Sequence, residues 1–375
     1  MARVLIITND FPPRVGGIQS FVHAAAMQLS NHAVVYAPAW QGAPTFDHYL
    51  PLPVVRHPTS LMLPSGAVRR RALAIMASEG CDRVLFGAAA PLGLLAPALR
   101  RAGAQRIVAI THGHETGWAA LPVARQLLSR IGDSVDIVTY LGEYGRDRLA
   151  RALSPAATAR MKRLAPGVDL KTFRPDIRGN AVRERLRLGT KPVVLCVSRL
   201  VPRKGQDTLI RAMPMVLHAN ENRPVLLLVG RGPYLQKLHS IAQEVGVAER
   251  VVFAGEVAND DLPAYYNAAD VFAMPCRTRW AGLDVEGLGI VFLEAAASGL
   301  PVIAGSSGGA PDAVLDGETG FVVPGGEPEV VANRLNQLLA DPALARDMGA
   351  KGRAWMQSAW QWSAVGQELR KMLEL

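Results

Sequence analysis

Short β-branched runs alternate with amphipathic stretches along the whole chain. Val4–Thr8, Val34–Tyr36, Val84–Phe86, Ile107–Thr111 and Ile137–Tyr140 are apolar over a strand's length. Between them Gln19–Leu29, Ala67–Ser78 and Val123–Ile131 carry apolar residues at helical spacing. Strand–helix alternation of this kind builds a parallel sheet with right-handed crossovers, so the first half is predicted to be a doubly wound α/β domain.

The alternation breaks at Leu164–Pro175, where Pro166, Gly167 and Pro175 deny the segment a regular helix or strand. It resumes with strands expected at Val193–Val197, Val225–Val229, Val251–Phe253, Val271–Met274 and Val302–Ala304. Two Rossmann-like domains are expected, 1–168 and 169–358, since 375 residues exceed the roughly 100 to 200 of an ordinary single domain. A helical pattern from Trp355 to Leu373 carries Trp360 and Trp362, and its last part, 359–375, is expected to pack back on the N-terminal domain. Open parallel sheets bind ligands outside the carboxyl ends of their strands, so two such domains facing one another are expected to bind in the cleft between them.

Composition narrows the class without choosing a function. Apolar residues make up 49% of the chain, and Gly and Pro are scattered through it, as in globular α/β enzymes. None of Cys81, Cys196 and Cys276 sits in a CxxC pair, which argues against a disulfide framework or structural zinc and fits a reducing cytoplasm. The first ten residues reach a charge before a secretory segment could form. The weakly polar stretch Val84–Leu99 is broken by Gly and Pro and is shorter than the roughly 18 to 20 residues a spanning helix needs, so no membrane crossing is expected. Of the formal charge of +9, residues 1–170 hold 18 Lys+Arg against 10 Asp+Glu, leaving 23 against 22 for the remainder. That excess favours an anionic partner, whether phosphate substrate, acidic lipid or nucleic acid, with simple solvated charge as the plainer alternative.

Chemistry concentrates at two strand ends. After Val197 comes Ser-Arg-Leu-Val-Pro-Arg-Lys-Gly-Gln-Asp207, which sets Arg199, Arg203 and Lys204 before a helix. A guanidinium fork and a mobile ammonium are the division of labour expected at a diphosphate; a solvated basic loop is the alternative. After Met274, a long loop leads to Glu286, Gly287, Gly289, Ile290 and Val291, then to Glu294. The glycines leave backbone N–H groups unobstructed where a helix over Val291–Ser298 is expected to begin, a natural phosphate site. Glu294 is flanked by Leu293 and Ala295–Ala297 and needs a partner there. Eight helical residues rise about 12 Å, against the roughly 5 to 9.5 Å between glycosidase carboxyl groups. The glutamate spacing therefore suits two parts of one extended ligand better than hydrolysis.

Further loops are suited to closing such a site. Gly16–Gly17, after the first strand and Pro12–Pro13, lets the backbone approach a ligand, although a plain tight turn needs the same residues. Ala304–Pro311 is a second glycine-rich turn, and Gly230–Pro233 a third that lacks the last glycine of a dinucleotide fingerprint. Thr111-His-Gly-His-Glu115 puts His112 and His114 at the end of a first-domain strand, where imidazole can donate to a sugar hydroxyl or accept a proton. No further Cys or carboxylate cluster completes a metal site around them.

Taken together, these segments resemble the retaining glycosyltransferases of family 4, which have the GT-B fold. The resemblance spans nearly the whole chain. It is carried by Gly16–Gly17, Pro166-Gly-Val-Asp169 with Phe173 and Pro175, Ser198-Arg-Leu with Arg203-Lys-Gly, and the glutamate pair around Gly-Leu-Gly-Ile-Val. It implies an acceptor-side domain over 1–168 and a nucleotide-sugar domain over 169–358. It further implies that Arg199 and Lys204 hold the donor diphosphate together with Gly16, Gly17 and the Gly289–Val291 helix start. By the same resemblance Glu294 holds the ribose, Glu286 contacts the transferred sugar and His112 lies beside that sugar.

Thr8–Pro13 with Gly-Gly-Ile-Gln19, Thr111–Glu115 and Met274–Arg279 are similar to an actinobacterial branch of the family. That branch uses GDP-mannose to add a second, α-1,6-linked mannose to phosphatidylinositol mannosides in cell-envelope glycolipid synthesis. The likeness implies GDP-mannose as donor, a phosphatidylinositol mannoside as acceptor, and a cytoplasmic enzyme on the inner face of the plasma membrane. Related members glycosylate a diacylglycerol-linked sugar, from GDP-mannose or a UDP-sugar, which leaves the acceptor open. A front-face transfer is implied, with the departing diphosphate stabilised by Arg199, Lys204 and the helix start. No DxD triplet occurs, so metal independence is expected, and no cofactor. An epimerase or phosphorylase of the same shape is a rival. A nucleic-acid partner is not expected, because the chain has no recognised binding module and no aromatic-interleaved basic run.

For a lipid acceptor the membrane contact is expected at Leu61–Met76, where Arg69, Arg70 and Arg71 adjoin Leu61, Met62, Leu63 and Leu73. Each arginine adds about 1 kcal/mol near an anionic surface, too little for permanent anchoring. Three consecutive arginines take up most of a helical turn's circumference, so ordinary solvated charge is the alternative.

Overall fold

The structure is a computed structural model that describes residues 2–113 and 115–375. The chain forms two compact units, Met1–Gly167 with Trp362–Leu375, and Val168–Gln361.

The first unit is built on a seven-stranded sheet of β1 (Val4–Ile7), β2 (Ala33–Pro38), β3 (Val54–His57), β4 (Arg83–Phe86), β5 (Arg106–Ala109), β6 (Ile137–Tyr140) and β7 (Lys162–Arg163). Its order is β3-β2-β1-β4-β5-β6-β7 with every neighbour parallel. Every residue of β1, β2 and β4 is buried, which is why these strands stand out as continuous apolar runs. Crossover helices supply the cover. Gly66–Ser78 buries Val68, Ala72, Ile75 and Met76 on one face, and the Ser65 hydroxyl caps its start by accepting from the Val68 N–H. The edge strands β3 and β7 lack a sequence signal. β3 is only partly buried and follows Pro51 and Pro53, and β7 is two exposed residues.

The second unit repeats the plan with β8 (Val193–Val197), β9 (Val225–Val229), β10 (Val251–Gly255), β11 (Val271–Met274), β12 (Val302–Gly305) and β13 (Gly320–Val323). The order is β10-β9-β8-β11-β12-β13, again all parallel. In each sheet the strand order reverses once, between β1 and β4 and between β8 and β11. Ligands of open α/β sheets bind outside the carboxyl ends of the strands at such a point.

The single helix expected over Trp355–Leu373 is two helices, Pro342–Ala359 and Trp362–Leu373. The break has a local cause. The Val168 N–H donates to the Trp360 carbonyl at 2.8 Å and Gln361 pairs with Val168, so backbone groups that would continue the helix are bonded to the linker instead. Trp362–Leu373 then packs within the first unit. Gly366 lies against Gln28, Arg370 donates to the Gln28 carbonyl at 2.8 Å, and Arg83 and Arg106 donate to the carbonyls of Leu373 and Met372, each at 2.9 Å. Among the described residues no helix is long and apolar enough to cross a membrane.

Candidate functional site

β8 and β11 pair directly, so the loops that leave them emerge side by side. Gly205 welds the two loops together. Its φ is 77°, and a Cβ there would run into the Pro275 carbonyl, so glycine alone fits. The Arg277 N–H donates to the Arg203 carbonyl at 2.8 Å, while the Arg277 guanidinium donates to Asp207 Oδ2 at 2.8 Å and Thr208 Oγ1 at 3.0 Å. These bonds fix the short turn Pro202–Lys204 that carries the two basic side chains.

Both side chains converge on one carboxylate oxygen. Lys204 Nζ lies 2.6 Å and Arg203 Nη1 2.8 Å from Glu286 Oε2, with Lys204 9% and Glu286 7% exposed. Arg203 Nε reaches Asp284 Oδ1 at 3.1 Å, and Arg279 stands 3.6 Å from the other Asp284 oxygen. Burial by itself would push the Glu286 carboxyl up, but Lys204 and then Arg203 outweigh it and hold the group below the usual carboxylate range. Glu286 is thus a charged carboxylate in a nearly dry setting. Its backbone is held by the glycine turn after β12: the Gly309 N–H donates to the Glu286 carbonyl at 2.9 Å, and the Glu286 N–H donates to Ser307 Oγ at 3.3 Å. Gly308, with φ 57°, lies where a Cβ would strike that same carbonyl. The turn Ala304–Pro311 therefore backs Glu286, a role its sequence does not announce.

The following helix is Ile290–Ala297, preceded by Gly289 at φ 86°, and no side chain caps its first N–H groups. Gly289, Ile290 and Val291 are partly exposed, so the positive end of the helix is open. Glu286 lies four residues ahead of this helix, so the rise estimated for eight helical residues does not separate the two glutamates. Glu294 faces inward, where Tyr266 Oη donates to its Oε2 at 2.7 Å. Burial raises the Glu294 carboxyl to about 7, against the opposing pull of the Tyr266 hydrogen bond. The two glutamates thus have opposite characters: one is paired with cations and held low, the other is hydrogen-bonded to a tyrosine and pushed up to about 7.

Arg199 stands apart from the Lys204–Arg203 pair. Its backbone is fixed, since Gln206 Nε2 donates to the Arg199 carbonyl at 3.0 Å and to Ser198 Oγ at 2.8 Å. The Gly230–Pro233 loop packs on it, a Cβ at Gly232 meeting the Leu200 carbonyl. Its side chain is exposed and forms no ion pair with the described residues.

In the first unit Gly16 precedes the helix Gly17–Gln28, and a Cβ on Gly16 would strike the Gln19 side chain, which donates to Asp10 at 2.7 Å. Arg56 of β3 anchors this turn from behind, donating to the Pro12 carbonyl at 2.7 Å while paired with Asp47 at 2.6 Å. That support belongs to a strand with no sequence signal. His112 is buried at the end of β5, with Nε2 2.5 Å from the Gly87 carbonyl. A carbonyl only accepts, so Nε2 carries hydrogen and donates. Glu115 accepts from the His112 backbone N–H at 2.9 Å. His114 lies outside the described residues. Among the described residues no group of three His, Cys, Asp or Glu is placed to hold a metal ion.

On the helix Gly66–Ser78, Arg69, Arg70 and Arg71 are all exposed, as are Leu61 and Leu63, each at 56%. Met62 and Leu73 do not join them. Met62 is fully buried and exchanges two hydrogen bonds with Asn9, and Leu73 packs against the core. The apolar part of the expected membrane contact reduces to Leu61 and Leu63.

The family model described as Glycosyltransferase Family 4 matches residues 15–172, and that described as Glycosyl transferases group 1 matches residues 180–355. The GDP-mannose-dependent alpha-(1-6)-phosphatidylinositol monomannoside mannosyltransferase of Mycolicibacterium smegmatis is 52% identical over 99% of this chain and 98% of its own. The chain is a family 4 glycosyltransferase. A second relative of this glycosyltransferase is the GDP-mannose-dependent monoacylated alpha-(1-6)-phosphatidylinositol monomannoside mannosyltransferase of Corynebacterium glutamicum, 44% identical over 99% of this chain and 98% of its own. Among solved structures, that of Anabaena HepE in complex with UDP matches with a TM-score of 0.84 over 99% of both chains at 21% identity, a likeness of fold. The two Rossmann-like units of the glycosyltransferase are those of the GT-B architecture.

Proposed function

We propose that this glycosyltransferase moves mannose from GDP-mannose, with retention, onto a phosphatidylinositol mannoside, forming an α-1,6 linkage. The observation that carries the site assignment is the buried Lys204–Glu286 pair beside an uncapped helix start at the β8/β11 reversal. Cationic and backbone donors there suit a diphosphate, and a charged carboxylate next to them suits a sugar hydroxyl. Arg199 and Lys204 bind the diphosphate, with the N–H groups of Gly289, Ile290 and Val291 and the Gly16–Gly17 turn. Glu294 accepts from the ribose and Glu286 from the mannose, and His112 lies beside the transferred sugar. The donor and acceptor follow the full-length relatives, which are named for GDP-mannose and phosphatidylinositol monomannoside.

In the transfer, negative charge grows on the departing diphosphate. Arg199, Lys204 and the helix start stabilise it with charges and N–H groups already in place, so they lower the barrier without rearranging. Neither metal nor cofactor takes part in this scheme. Access to the lipid acceptor is peripheral, at the inner face of the plasma membrane, through Leu61, Leu63 and Arg69–Arg71.

The test is incubation with labelled GDP-mannose, UDP-glucose or UDP-GlcNAc beside phosphatidylinositol mannosides and diacylglycerol-linked sugars. Label is expected to pass from GDP-mannose alone to the phosphatidylinositol mannoside. Label entering only the diacylglycerol glycoside overturns the acceptor, and transfer from a UDP-sugar overturns the donor.

A further inference from the structure

Glu286 Oε2 receives two cations, Lys204 at 2.6 Å and Arg203 at 2.8 Å. In the proposed function only one of these, Lys204, is assigned to the donor. A buried carboxylate that loses its cation is left without compensation, so any charge Lys204 lends to a diphosphate must be replaced at Glu286. Arg203 is built to supply that replacement. Its Nε is tied to Asp284 at 3.1 Å, and its backbone carbonyl accepts from the Arg277 N–H at 2.8 Å. The guanidinium therefore spans two carboxylates with two different nitrogens, a grip that a lysine ammonium does not reproduce.

We propose that Arg203 is a positioning residue that neutralises Glu286 and thereby releases the charge of Lys204 to the donor's diphosphate. This deepens the donor assignment proposed above and rests on it. Arg203 then governs donor affinity through Glu286 and Lys204 without touching phosphate. Without it, Glu286 competes with the donor for the single remaining ammonium, and the competition vanishes if Glu286 is itself made neutral.

The test is a double-mutant cycle read by calorimetry with GDP, at one ionic strength, on full-length wild type, Arg203→Gln, Glu286→Gln and the double variant. Arg203→Gln is expected to weaken GDP binding about tenfold, within the range of coupling between contacting charged residues. Glu286→Gln alone is expected to leave binding unchanged or tighter, and the double variant to return to about wild-type affinity. A double variant as weak as Arg203→Gln would mean that Arg203 contacts phosphate itself, and would overturn the proposal. Unchanged binding by Arg203→Gln would overturn it as well. Wild type that fails to bind GDP overturns the donor assignment and this proposal together, whereas GDP binding with an additive cycle overturns this proposal alone. Should Arg203→Gln fail to fold, Arg203→Lys takes its place in the cycle. It keeps the charge and loses the double grip, so a smaller loss is expected that Glu286→Gln again abolishes.

Discussion

The Lys204 ammonium stands 2.6 Å from the Glu286 carboxylate, both nearly buried, although they sit on loops that follow different strands. Arg199, the other cation assigned to the diphosphate, is exposed. Lys204→Ala is therefore expected to cost about 2 kcal/mol of stability as well as activity, since it strips a buried carboxylate of one partner. Arg199→Ala is expected to stay within about 0.5 kcal/mol of wild type. Both should lower turnover by about a hundredfold or more. Thermal melts and calorimetry with GDP check the pair, and unchanged GDP affinity in both variants would sink the diphosphate assignment.

The two glutamates should respond differently to the same substitution. Glu286→Gln is expected to reduce turnover by about a hundredfold while sparing GDP, because its proposed partner is the sugar. Glu294→Gln is expected to weaken GDP itself through the ribose. Steady-state kinetics beside GDP titrations separate the two, and equal losses of GDP affinity would refute the division.

The proposed contact of Glu294 with the ribose is expected to make nucleotide binding depend on pH. Its carboxyl is raised to about 7 by burial, and the ionised form is the stronger acceptor for hydroxyl donors such as those of a ribose. GDP affinity is expected to rise from about pH 6 to about pH 8, with a proton released on binding, and Glu294→Gln should flatten that rise. The stability effect has the opposite sign. The folded protein keeps this proton over a range where the unfolded chain has lost it, so the group's contribution to stability declines as pH climbs toward about 7. Calorimetry in buffers of different ionisation enthalpy measures the proton directly.

Transfer is expected to persist after exhaustive EDTA treatment, because in the proposed scheme Arg199, Lys204 and backbone N–H groups supply the positive charge that a metal clamp would otherwise provide. Loss of activity on chelation, restored by magnesium, would count against this scheme.

Liposome sedimentation tests the lipid contact. Binding is expected to increase with phosphatidylinositol content and to decrease with salt. Changing Arg69, Arg70 and Arg71 together to Ser should remove up to about 3 kcal/mol, at about 1 kcal/mol per arginine. Leu61→Ser with Leu63→Ser should weaken it further, whereas Met62, buried against Asn9, belongs to the fold. Equal binding by wild type and triple variant would move the contact elsewhere without touching the transfer chemistry.

Much of this architecture is legible in the linear pattern. The central strands are buried on both faces, so their residues must be apolar without interruption, and Val193–Val197 and Val225–Val229 show their bounds directly. Edge strands carry no such demand. β3 and β7 are held by backbone pairing, which any side chain permits, and so leave no trace in the pattern. The break at Trp360–Gln361 is invisible for a similar reason: it depends on the backbone of Val168, far away in the chain.

The sequence by itself determined that cations and glycines gather at the ends of buried strands, which marked Arg199, Arg203, Lys204 and Gly289 as candidates for a diphosphate. Only the tertiary structure decided how those residues divide. It turned Lys204 and Arg203 onto Glu286, left Arg199 in the open, and gave Glu294 a tyrosine in place of a cation. Charge state is a property of surroundings, and those surroundings are assembled by strand order: β8 beside β11 brings one loop's ammonium to another loop's carboxylate.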